Sequence, residues 1–151
     1  MKSIFTLITA ALFLVSCSKN NADLVRSSSN DLEFSLDQDH KSFTKAEAVT
    51  MERVGTKFVT ITAAEGTEIF TVSVEVKDLK PGTYILKNAA VIYSDGRSSF
   101  SNTSTDQFSL TIDQVNGSEM SGSFNGVLFD SYHKQRNLTG GNFDHVTITV
   151  R

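Results

Sequence analysis

Phe70-Thr71-Val72-Ser73-Val74-Glu75-Val76 is the stretch that decides the fold. Phe70, Val72, Val74 and Val76 alternate with Thr71, Ser73 and Glu75, a period of two that puts every apolar side chain on one face of a strand. The same period recurs outward from it. Val59, Ile61 and Ala63 precede it; Phe108, Leu110 and Ile112 follow, and Val146, Ile148 and Val150 close the chain. Leu32, Phe34 and Leu36 open the series, and Tyr84 to Tyr93 makes one or two more strands.

Turn chemistry separates these runs. Asp95-Gly96 and Asn116-Gly117 accept positive φ at both central positions of a type I′ hairpin turn. Pro81-Gly82 suits a type I or II turn, with Pro fixing φ at the first central position. No apolar stripe of helical period is long enough to bury; Phe43 to Met51 suits one helical turn or a strand. Eight or nine short strands predict an all-β fold, an antiparallel β-sandwich or else a flattened β-barrel. Gly122, Phe124, Gly126 and Leu128 share one face, so small and large residues alternate along it. Glycine beneath an aromatic marks a bend or a close approach of another strand.

The N-terminus reads differently. Lys2 precedes an apolar run from Ile4 to Val15. That run is shorter than the roughly 20 residues of a membrane-spanning helix and has the layout of a secretory signal. It ends in Leu14-Val15-Ser16-Cys17, which resembles the lipobox of bacterial lipoproteins. The resemblance implies cleavage before Cys17, acyl chains on its thiol and a membrane held through them. It also implies a place in the bacterial cell envelope, the outer membrane by the sorting rule, since Ser18 rather than Asp follows the cysteine. The expected division is therefore a signal peptide over 1–16, a lipidated flexible tether over 17–30, and a β-sandwich over 31–151.

Composition narrows the chemistry. The net charge is -3, and losing residues 1–16 removes Lys2 and no acid, leaving about -4. That balance argues against nucleic acid, which takes a basic surface to displace counterions from phosphate. Cys17 is the one cysteine, so the expected domain has no disulfide and no thiolate metal site. Its stability rests on a core drawn from 11 Phe and no Trp, with Val and Ile.

Two further segments carry resemblances. Leu79-Lys80-Pro81-Gly82-Thr83-Tyr84 resembles the Leu-x-Pro-Gly-Thr approach to a strand in fibronectin-III-like sandwiches. There a Tyr one residue later ties its hydroxyl back to the turn; Tyr84 stands on the opposite strand parity, which counts against that corner. Gly122-Ser123-Phe124-Asn125-Gly126-Val127-Leu128 and Leu138-Thr139-Gly140-Gly141-Asn142-Phe143 are similar to the terminal hairpin of small Bacteroidota lipoproteins. Gly140-Gly141 replaces their single Gly and is expected to lengthen or bulge the loop. That likeness implies a fold and no activity.

Asp130-Ser131-Tyr132-His133-Lys134-Gln135-Arg136-Asn137 is the densest polar cluster and is expected to form a loop at one end of the domain. Loops on rigid β scaffolds carry much binding function, so Asp130, Tyr132, His133 and Arg136 are candidate ligand or partner residues, with His145 close behind Asp144. Tyr132 is the aromatic to watch for a glycan, Tyr84 and Tyr93 being partly core. No metal site is expected: His133 and His145 are twelve apart, His145 shares an outward face with Thr147 and Thr149, and zinc needs three or four converging ligands. Asp37-Gln38-Asp39-His40 reads as a solvated turn. No cofactor-binding motif occurs, and no Gly-x-Ser-x-Gly elbow marks a nucleophile.

The function these features favour is a non-enzymatic, lipid-anchored binding or assembly module for an envelope protein or polysaccharide. A sandwich also keeps sheet edges that a partner strand can augment. The competing expectations are a small envelope hydrolase using Asp130, His133, Asp144 or His145, and a carrier of a small ligand between the sheets.

Overall fold

The computed structural model describes residues 31–85, 90–102 and 108–151. The expected signal peptide, Cys17 and the tether lie outside the described residues. The all-β sandwich-like fold is observed, and no helix occurs among the described residues. The described residues form eleven strands rather than eight or nine: β1 Asp31–Leu36, β2 Asp39–Phe43, β3 Ala46–Arg53, β4 Thr56–Glu65, β5 Glu68–Val76, β6 Gly82–Ile85, β7 Ala90–Ser94, β8 Ser99–Ser101, β9 Phe108–Asn116, β10 Glu119–Phe129 and β11 Gln135–Val150. The two not expected are β2, whose side chains are mostly polar, and the three-residue β8.

They form one mixed sheet in the order β2-β1-β11-β3-β4-β5-β7-β8-β10-β9-β6, and β10 also pairs with β11. The sheet therefore turns back on itself through β11. One edge of β11 carries β10; the other carries β1 from Leu138 to Asp144, then β3 from Thr147 to Val150. The β11–β3 ladder is parallel, so the expected all-antiparallel pairing holds for every ladder but this one. A single residue pair, Phe129 with Ser101, joins β10 to β8.

The core is aromatic at its centre. Phe34 lies 5.0 Å from Phe70 and meets Tyr93 edge-on at 5.4 Å, while Phe70 stacks on Phe124 at 4.9 Å. These offset and T-shaped pairs add to simple burial.

Two glycines set the closest approach of β9, β10 and β11. Gly122 pairs with Phe143, and Phe124 pairs with Gly141, so each ring lies over the opposite glycine. A methyl group on Gly122 would sit 2.6 Å from Phe143 Cζ and against the Thr111 carbonyl; one on Gly141 would run into Phe124. The alternating pattern along β10 thus marks close strand approach. Gly140 adopts φ +60° as the extra residue of a bulge inside β11, not in a loop as the doubled glycine suggested.

The turns differ in detail from the sequence reading. Asn116 pairs with Glu119, so Gly117-Ser118 are the central residues, and only Gly117 has positive φ. Asp95-Gly96 opens a four-residue connection to Ser99 rather than a two-residue hairpin. Tyr84 does tie back: its hydroxyl donates to the Lys80 carbonyl at 2.7 Å. Parity did not forbid this, because β6 starts at Gly82, right after Pro81, which keeps the Lys80 carbonyl within reach of the ring.

Candidate functional site at one end of the sheet

Strand directions gather four connections at one end. β4 runs ten residues from Thr56 to Glu65, so Val54-Gly55 and Gly66-Thr67 lie roughly 30 Å apart at opposite ends. With Gly66-Thr67 lie the β1–β2 turn at Asp37, the β7–β8 connection and the β10–β11 connection. Thr67 Oγ1 donates to the Asp95 carbonyl at 3.4 Å.

Three aspartates shape this end. Asp130 Oδ1 accepts the N–H groups of Tyr132 (2.8 Å) and Lys134 (2.9 Å), while the Asp130 carbonyl accepts from His133 N at 3.0 Å. The connection is thereby wound tight, with His133 at φ +59°. Asp95 Oδ1 does the same for Arg97 (2.8 Å) and Ser98 (2.6 Å), and these backbone bonds hold its carboxyl below the usual carboxylate range. Asp37 accepts Arg136 Nη1 at 2.8 Å and Asn137 N at 2.9 Å; the Arg136 bond is the main cause of its lowered pKa. Side-chain acceptors for loop N–H groups are why Asp is favoured at such turns.

Between the turns sits a second ion pair. Lys41 Nζ lies 3.1 Å from Asp39 Oδ2 and 3.2 Å from Glu68 Oε1, and these partners, Asp39 first, hold its pKa well above that of an ordinary lysine. Lys41 also lies 6.0 Å from the centroid of the Tyr93 ring, and the Arg136 guanidinium 5.8 Å from that of Phe100, with Tyr93 and Phe100 stacked on each other. Burial raises the Tyr93 pKa. The Tyr93 hydroxyl and Arg136 Nε are both shut off from solvent, and neither meets a hydrogen-bond partner in proper geometry. Lys41 and Glu68 are nonetheless its polar neighbours, each close enough to act on the hydroxyl through a long hydrogen bond as well as by charge.

Two clefts flank this layer and share Phe100 and Arg136. The inner one, about 140 Å³, is lined by Asp39, Lys41, Tyr93 and Asp95. The outer one, about 340 Å³, is lined by Arg97, Ser98, Ser99, Asp130, Ser131 and Tyr132. Tyr132 is 89 % exposed, so its ring stands free at the rim. A cleft of about 380 Å³ at the opposite end is lined by Glu52, Lys57, Glu75 and Lys77, without an aromatic.

Of the residues expected from the sequence, Asp130, Tyr132 and Arg136 line one cleft, and His133 lies in the same turn. Gln135 to Asn137 belong to β11 rather than to the loop. Asp144 and His145 are elsewhere, about 30 Å further along β11. There a bulge places both residues opposite Ser121, with His145 at φ +52°. Phe143 and Val146 are consequently both buried, and His145 lies on the face opposite them, less exposed than Thr147 and Thr149. Ser121 Oγ donates to Asp144 Oδ1 at 3.0 Å and accepts His145 N at 2.9 Å; His145 Nδ1 lies 2.8 Å from the same carboxylate oxygen. Ser121 thus bonds the acid and the backbone, not an imidazole that could take its proton. The four residues named for a hydrolase do not form one site.

Asp37-Gln38-Asp39-His40 is exposed, as a solvated turn should be, and Asp37 and Asp39 each also meet a cation, while His40 lies 3.9 Å from Glu33. Among the described residues, no three His, Cys, Asp or Glu side chains are placed to hold a metal ion. No helix among them is long and apolar enough to cross a membrane.

Lys41, Tyr93, Arg97 and Phe100 belong to this end and were not singled out by the sequence. The signal for Arg97 was present in Asp95-Gly96-Arg97-Ser98, an aspartate followed by the two N–H groups it captures. No family model, curated protein or solved structure matches the chain.

Proposed function

We propose that this chain is a membrane-tethered, non-enzymatic binding module that meets an envelope protein or polymer through the end carrying Tyr132, Arg97 and Arg136. The observation that supports this most is the pre-shaping of that end. Three aspartates spend their carboxylates on holding loops in place, which fixes a cleft and an exposed ring before any ligand arrives. Such preorganisation lowers the ordering cost of binding.

The tether part of the proposal rests on Leu14-Val15-Ser16-Cys17 and its resemblance to a lipobox. Two or three acyl chains on Cys17 suffice for stable anchoring where one is marginal. The test is crosslinking in intact cells, comparing wild type with Cys17→Ala and with Tyr132→Ala. A partner captured by wild type and lost from both variants supports an anchored module working through this end. Capture that survives both substitutions refutes it.

A further inference from the structure

We infer that the paired clefts at the Asp37–Asp130 end form a binding site for a neutral saccharide; this rests on the binding-module reading above. Two buried groups lack a well-aligned partner there, the Tyr93 hydroxyl, which has only Lys41 and Glu68 beside it, and Arg136 Nε–H, and both residues line the inner cleft. A buried donor left without an acceptor is destabilising. The inner cleft therefore calls for oxygen acceptors.

Charge decides which oxygens. Lys41 is engaged by Asp39 and Glu68, and Arg136 by Asp37. Asp95 also lines the cleft. With Asp130 and Arg97 of the outer cleft counted, five acids surround three cations, a surplus that repels phosphate or a carboxylate ligand. Hydroxyl and ring oxygens supply acceptors without negative charge, and hydroxyls can also donate to Asp39 and Asp95.

The outer cleft continues the same chemistry. Ser98, Ser99 and Ser131 offer hydroxyls, and both loop bonds of Asp130 fall on Oδ1. The Tyr132 ring presents an apolar face of the kind on which the C–H face of a pyranose packs. A volume of about 140 Å³ beside one of about 340 Å³ suits a terminal sugar held inside and a second residue against Tyr132.

The purified full chain is screened on immobilised maltotriose, cellotriose, chitotriose and mannotriose, with trigalacturonate as the acidic probe, and the best ligand is titrated calorimetrically. A neutral trisaccharide is expected to bind. Tyr132→Ala should weaken it about ten-fold, and Tyr93→Phe about five-fold, each loss being that of one stacking face or one hydrogen bond. Tyr93→Phe should at the same time keep or raise the Tm, because it removes an unpaired buried hydroxyl; a merely structural role for that hydroxyl would lower it. Preference for trigalacturonate overturns the neutral-ligand inference. So does neutral binding untouched by both substitutions. No sugar binding, together with a protein crosslinked through Tyr132 in cells, overturns the saccharide and leaves the binding module standing. No sugar and no crosslinked partner removes both.

Discussion

The two ends of this sheet are built by opposite means. At the Asp37–Asp130 end, turns are stitched to one another: Asp37 to Arg136, Lys41 to Glu68, Thr67 to Asp95. At the other end the β3–β4 turn is Val54-Gly55, with φ of +52° and +74°, and Val54 is 97 % exposed. A β-branched residue in that region is strained. One end spends polar side chains on fixing its shape, including its positive-φ residues Asp37 and His133; the other leaves a β-branched residue at positive φ with no such tie. Both ends carry a cleft, so the lesson is that only one of them has its loops tied to one another by side chains.

The strongest way to break the contrast is to strike the shaft both ends share. Gly141→Ala drives a methyl into the Phe124 ring and carbonyl, neither of which has room to yield. A loss of about 3 kcal/mol is expected in denaturant unfolding, with hydrogen exchange rising at both ends together. Opening confined to one end would mean the ends are not coupled through the core.

Asp37→Ala is the next largest. It removes the acceptor for Arg136 and Asn137 from a half-exposed position, so about 1 kcal/mol is expected, with faster exchange confined to residues 130–138. Glu52→Ala, at the far end, should change stability by less than about 0.5 kcal/mol. Equal effects would erase the distinction.

At the strained turn, Val54→Asn should raise stability by about 0.5–1 kcal/mol, because Asn accepts positive φ more readily. Exchange at the stitched end should not move.

Acid gives the smallest effect and separates the ends by pH. Asp37 and Asp95 have folded pKa values below the ordinary 3.8. Their contribution is complete above 3.8 and is lost as pH falls through the lower folded values. Loop amides of residues 95–98 and 130–137 should therefore lose protection first below about pH 4, ahead of those around Val54. The reverse order would show that these carboxylates do not hold the loops.

How much of this was legible follows from what a period of two can report. Phe70 to Val76 and Leu32 to Leu36 alternate cleanly and are strands facing the core, as read. Asp39 to Phe43 is polar at an outer position of the sheet, so β2 left no apolar period to find. The bulges at Gly140 and at Asp144-His145 shift the phase, which is why Phe143 and Val146 are both buried with two residues between them. Asp130, Tyr132 and Arg136 were legible as one polar cluster. Lys41, Tyr93 and Phe100 were not, because they join that cluster only through strand pairings far apart in sequence. Tyr93 was disguised further, since its ring is core and its hydroxyl alone reaches the site.

The forked pairing of β11 also orders events in time. Its last residues meet β3 about 100 positions earlier, Thr147 beside Glu47 and Val150 beside Thr50. Its first half is what fastens β1 to β10. A chain emerging N-terminus first can zip β3 to β4 and β4 to β5 locally, but such long-range ladders close late. Until residue 150 has emerged, β1 and β3 lack the strand that lies beside them both. The fold is thus held unlatched through most of its synthesis, and the last strand to appear is the one that locks it.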